Sequence, residues 1–168
     1  MSVRKSAAAA LALGALFAPA IIAAGPAQAA PIQGSCSGGQ LNMNTSPISM
    51  NAGPITAQVD GQLTGCTGTP GQTAKFVGDF QGDGSCFDVN GNFNGQLIWG
   101  NGQTHSVSGP YHVAGGPTPP SSTKTVPIAD GGAVTITQAG PDSGAVFGPC
   151  MEGTARQLNV PVLAASFG

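Results

Sequence analysis

The sequence predicts an exported all-β domain: an antiparallel β-sandwich or flattened β-barrel of about eight short strands, held by two disulfides. Three observations support this. Apolar and polar residues alternate in run after run, which is the pattern of half-buried strands. Gly and Pro, 27 and 14 of the 168 residues, punctuate these runs as turn residues do. Four cysteines follow an N-terminal leader, and an even cysteine count in an exported chain predicts disulfides.

The first 29 residues have the composition of a helical signal peptide. A positive start is followed by an uncharged Ala- and Leu-rich stretch over residues 7–24, and Ala27-Gln28-Ala29 is a small-x-small cleavage pattern. The apolar stretch is almost long enough to span a bilayer, but a proline and a Gly-Pro break argue against an anchor. We expect cleavage after Ala29, a single secreted domain over residues 30–168, and no membrane attachment after cleavage.

The strands follow in order along the mature chain, each with apolar residues on one parity and polar residues on the other. Trp99 and Tyr111 share the inward parity, which favours the core over a sugar-binding face. An opening strand over Leu41–Thr45 precedes the inward rows, which are Ile55, Ala57, Val59 and Leu63; Ala74, Phe76, Gly78 and Phe80; Phe93, Gly95, Leu97 and Trp99; Val107, Tyr111 and Val113; Val134 and Ile136; and Leu158, Val160 and Val162.

The connections between strands are also marked in the sequence. Asn101-Gly102 predicts a hairpin in which both turn residues have positive φ. Gly109-Pro110 indicates a sheet edge or a bulge. The Pro- and Gly-rich segment Ala114–Thr123 predicts a surface loop, and Ala139–Gly144 predicts a turn. No window of the mature chain has the period of an amphipathic helix.

Four cysteines allow three disulfide connectivities. We expect Cys36–Cys66, because these residues bracket a predicted hairpin whose strand ends lie close together. Cys86–Cys150 then ties the middle of the chain to its C-terminal strands. By loop-closure entropy each bridge stabilises the fold by roughly 3–4 kcal/mol. A metal site is disfavoured, because the sequence has no Cys-x-x-Cys pair and no suitably spaced histidine.

The charge of the mature chain excludes one large class of partner. Three Lys or Arg side chains stand against seven Asp or Glu, a net charge of −4 with His neutral. Nucleic-acid binding requires many cations to neutralise phosphates, so we expect no nucleic-acid partner. No cofactor-binding motif is present, and we expect no cofactor.

The candidates for catalysis are few. His105 and His112 are the only histidines, and on an unbroken strand they point to opposite faces. We expect His105, which shares its parity with Val107, to be buried and hydrogen-bonded. No Gly-x-Ser-x-Gly elbow is present, and the acids lie in turn-like sequence rather than as a catalytic pair. The sequence therefore predicts a protein that is not an enzyme.

A weak calcium motif is the remaining chemical candidate. Asp79-Phe80-Gln81-Gly82-Asp83-Gly84 places oxygen ligands at positions one, three and five of a calcium loop and glycine at six. Position twelve is Asn90, where a bidentate Glu is needed, although Asp88 adds an oxygen nearby. Since Gly-Asp-Gly is also ordinary turn sequence, we expect no metal, with Asp79, Asp83 and Asp88 as the calcium candidates.

One segment resembles a family. Gly84-Ser85-Cys86, a Gly-rich alternating strand from Phe93 to Trp99, and the hairpin Gly100–Thr104 resemble small exported β-proteins of actinobacteria. The resemblance covers most of the mature chain in outline and residues 84–104 in detail. It implies an all-β fold stapled by disulfides, and it implies no function, because the family's function is generally unassigned.

These observations favour a non-enzymatic extracellular domain that binds an envelope polymer or a partner protein. Two alternatives are open. In the first, the chain inhibits an extracellular enzyme through the loop Gly116–Ser122, whose prolines would make it rigid. In the second, the chain is a barrel that binds a small ligand, with the inward glycines leaving an interior cavity.

Overall fold

The computed structural model of the chain describes residues 31–141 and 143–168, without the side chains of residues 143–145. The predicted signal peptide, residues 1–29, lies outside the described residues. In the part described, no helix is both long and apolar enough for a membrane span. The elements are β1 (Gly34–Ile48), β2 (Gly53–Thr67), β3 (Ala74–Ser85), β4 (Asp88–Trp99), β5 (Thr104–Ala114), β6 (Ser122–Pro127), β7 (Ala133–Gln138), α1 (Ser143–Met151) and β8 (Ala155–Phe167).

The eight strands form one antiparallel sheet in the order β5-β4-β3-β2-β1-β8-β7-β6. The two outer strands meet: Val107 bridges Ile128, and the N–H of Ala129 donates to the Ser106 carbonyl at 2.9 Å. The sheet therefore curls into a nearly closed barrel. This confirms the predicted all-β class and selects the barrel over the sandwich.

The predicted inward rows form the core. Every residue of β2 from Ile55 to Leu63 alternates between buried and exposed. Trp99 and Phe80 are almost completely buried, and the indole of Trp99 lies 5.0 Å from the ring of Phe167. The preference for Trp99 and Tyr111 as core residues is confirmed, because both are buried.

Inward-facing glycines allow β3 and β4 to approach and bend. Gly78 faces Gly95, and Gly82 faces Gly91, across the ladder. A side chain at Gly95 would lie 2.6 Å from Cζ of Phe93 and 2.8 Å from Cα of Gly78. Glycine pairs of this kind mark a tight bend at a barrel corner, where neither strand has room for a side chain.

The β4–β5 hairpin is confirmed, with a different turn from the one expected. The Trp99 N–H donates to the Gln103 carbonyl at 2.8 Å, which leaves a three-residue loop over residues 100–102. Only Gly102 has positive φ, +89°, so Asn101 does not take the left-handed conformation. A three-residue loop with one left-handed glycine is the next common hairpin type. The ladder of β4 and β5 runs without a register shift past Gly109-Pro110, which therefore lie on an edge strand without a bulge.

The two disulfides are those expected. Cys36 and Cys66 are direct partners across the β1–β2 ladder, with a Cα–Cα distance of 3.9 Å. Cys86, between β3 and β4, joins Cys150 in α1 at 5.7 Å. Disulfides persist in oxidising compartments, and these two fit such an environment.

The helix α1 was not predicted. The sequence predicts a turn over Ala139–Gly144, but the helix begins at Ser143, within that segment. The sequence of α1 gives no helical signal, because it has no polar face and contains Gly148 and Pro149. The helix ends at Met151 and is followed by Gly153, whose φ of +69° is left-handed. The position of α1 is fixed by the Cys86–Cys150 bridge and by packing on β8.

A buried amide spans the gap between β5 and the β6–β7 pair. Gln138 is 1% exposed, and its Oε1 accepts the hydroxyl hydrogen of Tyr111. Its Nε2 donates to the His112 carbonyl at 3.2 Å and to Oγ of Ser122 at 3.3 Å. The backbone contacts between β5 and the end of β6 lie near Val107 and Ile128. The Gln138 side chain adds hydrogen bonds to β5 and β6 at another point along the same junction.

The buried Tyr111 hydroxyl predicts loss of stability in alkali. Burial raises the pKa of Tyr111 well above the ordinary 10.0, and it is the only tyrosine of the chain. Above pH 10 the unfolded chain releases this proton while the folded chain retains it. The contribution of this proton to the free energy of unfolding is therefore fully present below pH 10. Above pH 10 the free energy of unfolding falls by about 1.4 kcal/mol per pH unit.

Urea unfolding on both sides of pH 10 measures this slope. Tyr111→Phe is the control, because it keeps the ring and the lysines but removes the titrating hydroxyl. We expect a shallower alkaline slope for the variant, even though loss of the Gln138 hydrogen bond lowers its stability at every pH. Equal slopes for the two proteins would contradict the assignment.

Candidate functional site

The interior of the barrel is filled. The cavity among Met43, Phe76, Phe80 and Tyr111 has a volume of about 20 Å³. This is roughly the space of one water molecule and far below that of an organic ligand. The inward glycines are accounted for by close strand packing, so within the described residues the barrel interior does not support the small-ligand alternative.

The two histidines point to opposite faces, as expected. His105 is 9% exposed, and its Nδ1 lies 2.9 Å from Oδ2 of Asp130 in the β6–β7 connection. His112 is half-buried on the outer face and contacts the carboxylate of Asp88. Among the described side chains, the hydrogen-bond partner of each imidazole ring is a carboxylate, Asp130 for His105 and Asp88 for His112.

The calcium candidates do not form a loop. Asp79 and Asp83 both lie on the outer face of β3, four residues apart, which is about 13 Å along a strand. Asp88 begins β4 and contacts His112 and Asn90. Across residues 31–141 and 143–168, no three His, Cys, Asp or Glu side chains form a group able to hold a metal ion.

Asp79 instead belongs to a line of polar side chains that crosses the sheet. Asn44 of β1 has Gln157 of β8 on one side and Gln58 of β2 on the other, and the line continues through Asp79. All members are exposed on the outer face. We call this line the transverse row; in strand order its members are Gln157, Asn44, Gln58, Asp79, Asn94 and Ser108.

Shallow grooves lie at the middle of the transverse row. Two adjoining shallow grooves of about 390 and 340 Å³ lie over β1, β2 and β3. Asn44, Gln58 and Asp79 line both grooves, with Asp60 beside one and Gln81 beside the other. The row therefore has a continuous groove at its centre, built from amide and carboxylate side chains.

A second surface lies at one end of the barrel. Because antiparallel strands alternate in direction, the β1–β2, β3–β4, β5–β6 and β7–β8 connections meet at the same end. The N–H of Cys86 donates to the Ser49 carbonyl at 3.0 Å, and the disulfide joins Cys86 to α1. This end is thus tied together by a disulfide and by hydrogen bonds between its loops.

Large apolar side chains are exposed at this end. Met50, Phe87 and Met151 are 39%, 47% and 57% exposed, and Phe87 packs edge-on against Phe147 with 6.0 Å between the rings. We call these four residues the apolar end. Of the large hydrophobic side chains exposed in the described structure, only Leu163 lies elsewhere, on β8. Clustered exposed apolar residues are typical of an interaction surface.

The Pro-rich loop between β5 and β6 begins beside the apolar end. Gly115 and Gly116 donate to the Phe87 and Cys86 carbonyls at 2.9 Å each. Further along, Pro119 packs directly against Gly140. The loop is therefore braced at its start by the disulfide-linked segment, a support that the sequence does not reveal.

Sequence reasoning missed both surfaces. The outward parity of Asn44, Gln58 and Asp79 is readable in each strand, but their alignment depends on the register between strands. Met50 and Phe87 stand in two separate loops and Met151 ends α1, with no shared sequence pattern. The available signal was an apolar residue within each turn-like segment, where polar residues are the rule.

A scan against protein-family models, a search of the curated proteins and a search of the solved structures each return no significant match to this chain.

Proposed function

We propose that this chain is a secreted, non-enzymatic extracellular β-domain that binds a partner protein through its apolar end. The exposed cluster of Met50, Phe87 and Met151, held in place by the Cys86–Cys150 bridge, carries the proposal. Aromatic side chains and Met are enriched at protein interfaces, and charged residues are depleted at their centres. A preorganised surface also loses little conformational freedom on binding.

The partner is an extracellular protein or a protein of the cell envelope. The export leader predicted for residues 1–29 and the two disulfides support this location. An extracellular enzyme is the second candidate partner, because the braced loop Gly116–Ser122 adjoins the apolar end. In that case the chain acts as an inhibitor, and the exposed Thr118, between two prolines, would enter the enzyme.

The test compares oxidised mature protein with two variants in capture from the culture envelope. Phe87→Ser with Met151→Ser removes the centre of the apolar end. Leu163→Ser is the matched control, since Leu163 is 51% exposed on another surface. We expect one envelope protein to be retained by the wild type and by the Leu163 variant, and lost from the double variant, because interface hot spots are large apolar anchors.

The same three proteins and a fourth, Thr118→Lys, are also added at micromolar concentration to a panel of secreted proteases. Inhibition by the wild type that the double variant or Thr118→Lys abolishes would identify the partner as an enzyme. Retention of the same proteins by all three chains, with no inhibition, would overturn the proposed role of the apolar end.

A further inference from the structure

We propose that the transverse row binds a linear, uncharged, hydroxyl-rich polysaccharide that lies across the strands from β8 to β5. This site is separate from the apolar end and does not depend on a protein partner. The proposal rests on the spacing, the chemistry and the charge of the outer face.

The spacing suits an extended polymer. Six exposed polar side chains occupy consecutive strands, and strands lie about 4.8 Å apart, so the row extends for about 24 Å. The groove at Asn44, Gln58 and Asp79 gives the centre of this row a concave floor. A linear chain could therefore place successive units against successive strands.

The chemistry of the row matches hydroxyl groups. Four of its members are amides, each with two donors and an acceptor, and Asp79 adds a carboxylate acceptor. Among the described side chains of the row, the hydrogen bond present is a long one, 3.4 Å from Gln157 Nε2 to Asn44 Oδ1. The other amide and carboxylate groups face solvent and are available to a ligand.

The charge of this face favours a neutral polymer. The exposed acids on the strands from β8 to β5 are Asp60, Asp79, Asp83 and Asp88, and the exposed Lys and Arg side chains are Lys75 and Arg156. Four carboxylates against two cations leave this face net negative, which disfavours a polyanion such as a phosphate- or uronate-bearing polymer. Recognition must come from hydrogen bonds, because the aromatic side chains of these strands are buried in the core.

Affinity electrophoresis of the oxidised mature chain tests the proposal. The gels contain hydroxyethyl cellulose, laminarin or dextran as neutral polymers, and polygalacturonate as the polyanion. We expect at least one neutral polymer to retard the wild type and polygalacturonate not to. The triple variant Asn44→Ala, Gln58→Ala, Asp79→Ala should bind about tenfold more weakly, because several hydrogen bonds are lost.

A matched variant controls for general surface effects. Thr123→Ala with Thr125→Ala removes two exposed polar groups from the outer face of β6, away from the transverse row. It should bind as the wild type does, and urea midpoints should show that all variants are folded. Absence of retardation by all three neutral polymers, preference for polygalacturonate, or equal binding by the triple variant would each overturn the proposal. Captured protein without polysaccharide binding would leave only the apolar end as a binding surface.

Discussion

Gly91→Ala is expected to destabilise the folded barrel by about 3 kcal/mol. The added Cβ would overlap the carbonyl oxygen of Gln81 and would lie 2.6 Å from Cζ of Phe80 and 2.7 Å from Cα of Gly82. Backbone atoms cannot rotate away as the end of a flexible side chain can, and Phe80 is 1% exposed in the core. The β3–β4 ladder must therefore separate, or the ring must leave its position.

Urea unfolding at neutral pH measures this loss, and Gly53→Ala is the matched control. Gly53 begins β2, has no positive φ, and has no heavy atom within 4 Å of an added Cβ. Its replacement should shift the free energy of unfolding by less than about 0.5 kcal/mol. If Gly91→Ala were as stable as Gly53→Ala, β3 and β4 would not approach each other as closely as described.

Removing the Cys86–Cys150 bridge by Cys86→Ala with Cys150→Ala is expected to cost about 4 kcal/mol, because it closes a loop of 64 residues. The loss is large for a single domain, whose total stability is usually 5–15 kcal/mol. It also frees α1, which has no amphipathic pattern of its own to bind it to the barrel. We therefore expect the apolar end to loosen before the strands separate.

Limited proteolysis distinguishes this local effect from general destabilisation. Chymotrypsin should cleave after Phe147 faster in the Cys86/Cys150 variant than in Cys36→Ala with Cys66→Ala. The second variant loses a bridge of comparable entropic value, roughly 3.7 kcal/mol, but that bridge joins β1 to β2. Equal cleavage rates in the two variants would show that the Cys86–Cys150 bridge does not hold α1.

Much of the fold was predictable from local pattern. Side chains alternate along a strand with a period of two, so the inward rows from Ile55 to Phe80 identify themselves as core. The β4–β5 hairpin follows from Asn101-Gly102, and the bracketing of a hairpin by Cys36 and Cys66 predicts their bridge. The remaining bridge, Cys86–Cys150, then follows by elimination.

The candidate sites were predictable only in part. Asp79 was singled out from its neighbours in sequence, as a calcium ligand, whereas its neighbours in space are Gln58 and Asn94 of adjacent strands. The loop Gly116–Ser122 was recognised from its prolines, but its bracing by Cys86 was not. A helix without amphipathic periodicity, such as α1, leaves no pattern to recognise.

The sequence by itself determined seven of the eight strands, all but β6, the face that each of the seven buries and the disulfide pairs, because these depend on residues close together in the chain or on few alternatives. Only the tertiary structure decided that the sheet curls into a barrel, that six strands align the transverse row, and that two loops and the end of α1 bring Met50, Phe87 and Met151 to the same end of the barrel. The physical reason is that register and closure are set by contacts between distant segments. Those contacts are chosen by the packing of all eight strands together.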